Sequence, residues 1–157
     1  MVTKFLKSPK EQFTRFTSLV KTNFSRWSQH DYASLFQQYY ERLLRSVRGY
    51  REILLDRDGT ILSWNRDHEV LEGYSESEIL GQSFALFYLP EERQAHLPEK
   101  LIETACTQGK AIHYGKHVRK DGSTFYGSIQ LIPIKNSRKE VLGFTEITRI
   151  IPDNESD

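Results

Sequence analysis

One cysteine, one methionine and five prolines are spread over 157 residues, and no apolar run approaches the roughly 20 residues that span a bilayer. The lone thiol, Cys106, excludes an intramolecular disulfide and any multi-cysteine zinc or iron–sulfur centre. A small buried hydrophobe is the reading expected for it. The N-terminus lacks the apolar segment of a secretory signal, so no membrane span is expected and the chain reads as cytoplasmic. Also missing are Gly-x-Ser-x-Gly, His-Glu-x-x-His, P-loop and dinucleotide-binding patterns. His30 and His68 have acidic neighbours in sequence but no paired serine or cysteine nucleophile, so no enzyme is expected.

Hydrophobic residues at 38% are enough to bury a core, and the length fits one domain with an appendage. Charge divides unevenly along the chain. Residues 1–50 carry nine Lys/Arg against three Asp/Glu, net +6, whereas residues 51–157 carry 13 against 18, net −5. The positive residues are dispersed among core-type aromatics, which reads as a solvated helical face; no nucleic acid is expected as a partner.

Leu35, Phe36, Tyr39, Tyr40, Leu43 and Val47 follow spacings of three and four, the mark of one apolar helical face between Tyr32 and Val47. Ser28 and Asp31 resemble a capping box at its start, and Gly49 ends it. Phe13, Phe16, Leu19, Val20, Phe24 and Trp27 repeat the pattern upstream. The stripe from Leu35 to Val47 needs a cover, and a second copy of the chain, the preceding helix or the following domain would each supply one. A helical extension over 1–49 is therefore expected, with an interface of homodimer type, before a domain over 50–151 and a polar tail over 152–157.

In the domain, two apolar runs flank Asp58-Gly59, predicting strands over 51–56 and 60–64 joined by a tight hairpin. Two short helices closed by Gly73 and Gly81 follow, the second opening on Ser75 with Glu78 three residues later. A longer helix starts at Pro98 and ends at Gly109. Three strand-like runs complete the domain, separated by Asp121-Gly122 and by the polar turn at 135–139.

Trp64-Asn65, Gly73-Tyr74, Glu78 with Ile79 and Gly81, Phe87-Tyr88 with Pro90, Arg119 to Ser123 and Pro133 occur in an order and spacing that resembles the PAS sensory domain found before bacterial histidine kinases. The resemblance covers about residues 50–151. It implies an α+β fold: a five-stranded antiparallel sheet in the order 2-1-5-4-3, with short helices cupping one face. It also implies sensing, with a histidine kinase as the kind of separate partner expected. Phe84 stands where the family's light-sensing branch has its reactive cysteine, which argues against covalent flavin photochemistry. His96 lies where the haem-binding branch has its axial ligand, making haem a candidate cofactor. The pocket floor implied by the resemblance is Phe125, Gly127, Ile129 and Leu131, with Gly127 leaving room for a ligand. Leu101, Ile102 and Ala105 would form the opposite wall, and Thr145 or Ile147 the contribution of the last strand. These side chains equally suit a filled core. His113 and His117, four apart on a strand and so about 13 Å apart, are too distant for one metal ion and read as exposed or rim residues.

Three functions are thus open. They are a sensory module for an unidentified small ligand that signals through its N-terminal helices, a ligand-free scaffold for protein–protein association, and a haem-based gas sensor.

Overall fold

The computed structural model describes residues 28, 30, 31, 33–35, 37, 38, 50–64 and 66–152. Strand β1 (Tyr50–Asp56) ends in the turn that Asp58-Gly59 predicts. Asp56 Oδ1 accepts from the amides of Asp58 and Thr60 at 2.9 and 2.8 Å, and Gly59 adopts φ of 85°. Two rungs follow, from Asp56 N–H to the Thr60 carbonyl and from Leu62 N–H to the Leu54 carbonyl. Then the Leu54 amide donates to the Ser63 hydroxyl at 2.8 Å instead of to a backbone carbonyl, and the ladder stops. The expected strand over 60–64 is accordingly reduced to isolated bridges, Leu55 with Ile61 and Thr60 with Ser83.

The sheet among the described residues is four-stranded. It comprises β1, β2 (Ala111–Val118), β3 (Thr124–Lys135) and β4 (Val141–Ile150), antiparallel throughout in the order β1-β4-β3-β2. That is the expected order with its outermost member missing.

Between β1 and β2 run α1 (Arg66–Glu72), α2 (Glu76–Ile79), a 3-10 turn (Phe84–Phe87), α3 (Pro90–Gln94) and α4 (Leu97–Gln108). Gly73 and Gly109 take positive φ just past α1 and α4, a conformation a side chain would disfavour. The Glu78 carboxylate accepts from the Ser75 amide at 2.9 Å, the half of the capping box that the sequence suggests. Pro98 falls in the first turn of α4, where its missing N–H costs nothing. Helix α4 lies against β2 and β3. Its Leu101 and Ala105 join Ile53, Leu55, Phe84, Phe87, Tyr88, Ile129, Leu131 and Phe144 in one buried cluster. Cys106 is exposed on the far side of α4, not the buried hydrophobe expected.

The Ser28–Asp31 capping box is present: the Asp31 carboxylate accepts from the Ser28 amide, and the Asp31 amide donates to the Ser28 hydroxyl. Residues 30, 31, 33–35, 37 and 38 are helical. Gln38 donates to the Lys135 carbonyl at 2.9 Å and Asn136 donates to Asp31, which fastens this helix to the β3–β4 turn. Leu35, expected at an interface between copies, is only 3% exposed within a single chain. The other expected interface residues, Phe36, Tyr39, Tyr40, Leu43 and Val47, lie outside the described residues.

Candidate functional site

Strand alternation decides which side chains meet the helices. On β3 these are Phe125, Gly127, Ile129 and Leu131, in the alternation expected. Across the β2–β3 ladder they face His117, Gly115, His113 and Ala111. Across β3–β4, Ile129 faces Thr148 and Leu131 faces Glu146. Thr145 pairs instead with Leu54 and Ile132 on the opposite face of the sheet. The expected contribution of Thr145 or Ile147 to the helix-covered face is thus corrected: Glu146 and Thr148 make it.

Leu101, Ala105, Ile129 and Leu131 are brought together in the core, with Phe125 buried and Ile102 partly buried beside them. Gly127 leaves no space, because a Cβ there would lie 2.8 Å from the Arg149 carbonyl oxygen and 3.4 Å from the Phe125 ring. Nor does His96 face the sheet. It occupies a left-handed backbone position before α4, and its side chain is 75% exposed, 3.9 Å from Glu99. The geometry the haem reading needs, a histidine aimed at the sheet, is absent at this residue.

His117 reverses the expectation of an exposed rim residue, being 1% exposed. Its ring centroid lies 5.2 Å from Phe125, 5.6 Å from Tyr88 and 6.4 Å from Phe87. Neither ring nitrogen has a hydrogen-bond partner among the described residues. Burial, helped by the neighbouring His113, pulls its pKa from 6.5 down to about 3, so the imidazole is neutral at pH 7. Tyr88 is also fully buried, its hydroxyl without a partner among the described residues. Burial and then the charges of Glu146 and Glu92 push that phenol well above its usual range. His113 lies nearer the rim, its Nε2 3.3 Å from Glu92.

Glu146, in the middle of β4, is 2% exposed. Thr148 donates to its Oε1 at 3.3 Å, and Oε2 has no hydrogen-bond partner among the described residues. Burial first, and the charge of Glu72 second, raise its pKa to about 8 against the lowering effect of Thr148. Glu72 is itself buried at the end of α1, with the buried His68 one turn back at 3.8 Å. His68 is held 4.7 Å from the Trp64 ring, and its Nε2 meets the Glu52 carbonyl at 3.2 Å. Trp64 in turn donates its ring N–H to the Tyr74 carbonyl and stacks on Phe87.

The arrangement is an apolar layer enclosing polar groups: Tyr88 and His117 on one side, and Glu146, Thr148, Glu72 and His68 on the other. Such groups are costly to bury unpaired, so a purely structural core selects against them. Sequence reasoning did not place Glu146 in the core because a glutamate reads as surface. For His117 a signal existed: counting back from the Asp121-Gly122 turn pairs it with Phe125 and so puts both on one face. Among the described residues, no group of three or more His, Cys, Asp or Glu side chains is placed to hold a metal ion. No described helix is long and apolar enough to cross a membrane.

A second feature lies outside the cup. Arg119 Nε donates to the Leu71 carbonyl at 2.9 Å, its Nη1 donates to the Thr124 carbonyl at 3.0 Å, and the guanidinium stands 4.9 Å from the centre of the Phe125 ring. The Lys120 amide donates to the Glu72 carbonyl. An open groove of about 380 Å³ runs along this seam between Val70, Leu71 and Gly73 on one side and Arg119, Lys120 and Asp121 on the other.

A family model described as the PAS fold matches residues 53–150. Two-component system protein A of Emericella nidulans is 32% identical over 122 residues, covering 78% of this chain and 17% of that protein, so the chain spans less than a fifth of this curated relative. Among solved structures, the PAS domain of a protein from Colwellia psychrerythraea aligns with a TM-score of 0.62 at 24% identity, covering 74% of this chain and 97% of the other. The dark structure of the blue-light photoreceptor Aureochrome1 LOV gives 0.60 at 21% identity, over 73% and 84% of the two chains. The PAS domain of the fruit-fly ELK potassium channel gives 0.59 at 18%, over 71% and 94%. At these identities the structural likeness shows the fold.

Proposed function

Because the chain belongs to the PAS fold family, we propose that it is a cytoplasmic sensory domain of a two-component system, registering a stimulus at the helix-covered face and passing it to a histidine kinase without catalysing a reaction of its own. The observation that carries this reading is the set of buried ionisable and hydrogen-bonding side chains, Glu146, His117 and Tyr88, inside an otherwise apolar core. Likeness to a two-component system protein supports the kind of pathway. The test is kinase autophosphorylation measured with and without this chain, attached or added in trans. A rate changed severalfold by the chain, with the change altered by Glu146→Gln, supports the proposal; equal rates overturn it.

A scaffold reading also has an observation in its favour, the filling of the cup by Phe84, Phe87, Tyr88 and Phe125 and the closed surroundings of Gly127. It predicts homodimers whose mass by sedimentation is insensitive to substitutions at Glu146 or His117.

A further inference from the structure

On the face of the sheet turned away from α1 to α4, cover is uneven. Leu54 of β1 and Thr145 of β4 are buried there, whereas Ile112 and Tyr114 of β2 are 40% and 61% exposed. The ladders extend this open area inward from the edge strand. Ile112 pairs with Gln130 and Gln130 with Ile147, while Tyr114 pairs with Ser128. Tyr126 and Ile132 flank Ser128 and Gln130 on the same face of β3, and they and Ile147 are only partly buried. Lys116 and Arg149 stand at the rim of the patch. A single exposed tyrosine is ordinary, but a contiguous apolar patch reaching an edge strand invites a partner.

The chain carries a second apolar surface without an assigned cover, the stripe Phe13, Phe16, Val20, Phe24 and Trp27, which lies outside the described residues. Where that segment ends brings the two together. Ser28 is non-helical and its hydroxyl accepts from the Asp31 amide, so the chain changes direction there instead of continuing straight into the helix of Leu35. Asp31 is held by Asn136, just past the end of β3, and β2 begins at that same end, with Ala111 opposite Leu131. From this end Ile132 and Ile112 lead on to Tyr114. As a helix, residues 13–27 would be about 22 Å long, against about 26 Å for the eight residues of β2. Residues 1–50 are net +6 and residues 51–157 net −5, so two such arms repel each other while each is drawn to the domain. We propose that residues 13–27 form an amphipathic helix that covers the Ile112–Tyr114 face of its own chain. The arm then lies on the back of the strand whose other side presents His113 and His117 to the helix-covered face. The inference adds to the sensory reading without resting on it.

Hydroxyl-radical footprinting of the full chain, read by mass spectrometry, tests this. Tyr114 should be oxidised severalfold more slowly in wild type than in the double variant Phe16→Asp, Val20→Asp, with both chains sedimenting as monomers. The buried Phe144 should react equally slowly in both, which reports an intact core. Equal rates at Tyr114 overturn the proposal. Protection that disappears on dilution, as the mass falls from two chains to one, assigns the cover to the arm of a second copy and overturns it too. If the double variant fails to fold, a cysteine pair decides. In a Cys106→Ser background, Val20→Cys with Tyr114→Cys should close a disulfide within one chain, seen as a monomer-sized band without reductant. A dimer-sized product alone, or no product, overturns the proposal. None of these readouts involves a kinase, so their failure is distinct from failure of the two-component reading.

Discussion

Replacing His117 with leucine should make the protein more resistant to mild acid. The imidazole is enclosed by Phe87, Tyr88 and Phe125 and is neutral in the folded state because burial lowers its pKa from 6.5 to about 3. In the unfolded chain it titrates near 6.5. Between those values the unfolded state binds the extra proton, so stability is fully present above pH 6.5 and declines as pH falls toward 3. The slope is about 1.4 kcal/mol per pH unit, which gives a loss of about 2 kcal/mol between pH 6.5 and 5 from this residue. Leucine has a similar volume and no proton to bind. At pH 7.5 it should be neutral or mildly stabilising, since it removes a buried polar group without leaving a partner stranded. Urea unfolding at pH 7.5, 6.5 and 5.0, followed by tryptophan fluorescence, reads the difference directly. Other titrating groups act on both proteins, so only the divergence of the two curves counts. It should reach about 2 kcal/mol at pH 5, or several degrees in Tm for a chain of this size. Parallel curves would refute the argument and mean that His117 is solvated or charged in the folded protein.

Two further substitutions test the supports of the site. Arg119→Lys should cost about 1–2 kcal/mol, close to Arg119→Ala, because a lysine cannot reach the Leu71 and Thr124 carbonyls at once; full recovery of urea stability by lysine would contradict this. Gly59→Ala should cost about 2 kcal/mol or more, since Gly59 has φ of 85° and a Cβ there would lie 2.6 Å from the Phe84 ring. A thermal midpoint within a degree of wild type would show that the turn can rearrange freely.

Turns and periodicities were legible because each rests on local chemistry. Asp58-Gly59 announces its hairpin, Pro98 and Gly109 bracket α4, and the alternation of β3 places Phe125, Ile129 and Leu131 without reference to any partner. Facing is harder on β4, where 142–146 are buried on both sides of the sheet, so no exposed residue marks the outer face and Thr145 and Glu146 exchange roles. The loss of the expected second strand depends on one hydroxyl, Ser63, competing with a backbone carbonyl for the Leu54 amide. Such competition is settled by three-dimensional position, and propensity does not encode it. The outward direction of His96 was hidden for a similar reason: its place in the chain fits, but the left-handed backbone before α4 leaves its side chain in solvent.

The chain at residues 60–62 hydrogen-bonds on both sides, and Ile61 holds one of them. Its amide donates to Gln82 and its carbonyl accepts from Gly81, while the next residue pairs with Leu54. The polypeptide therefore leaves the sheet after Leu62 and re-enters beside its own point of departure at Gly81. An excursion whose ends are already joined can change length at its exposed tip near Gly73 for little more than the entropy of a longer loop, which grows only logarithmically. The segment carrying His68 and Glu72 is thus a replaceable cassette: longer or shorter versions could stand in its place while the register of every strand stays as it is.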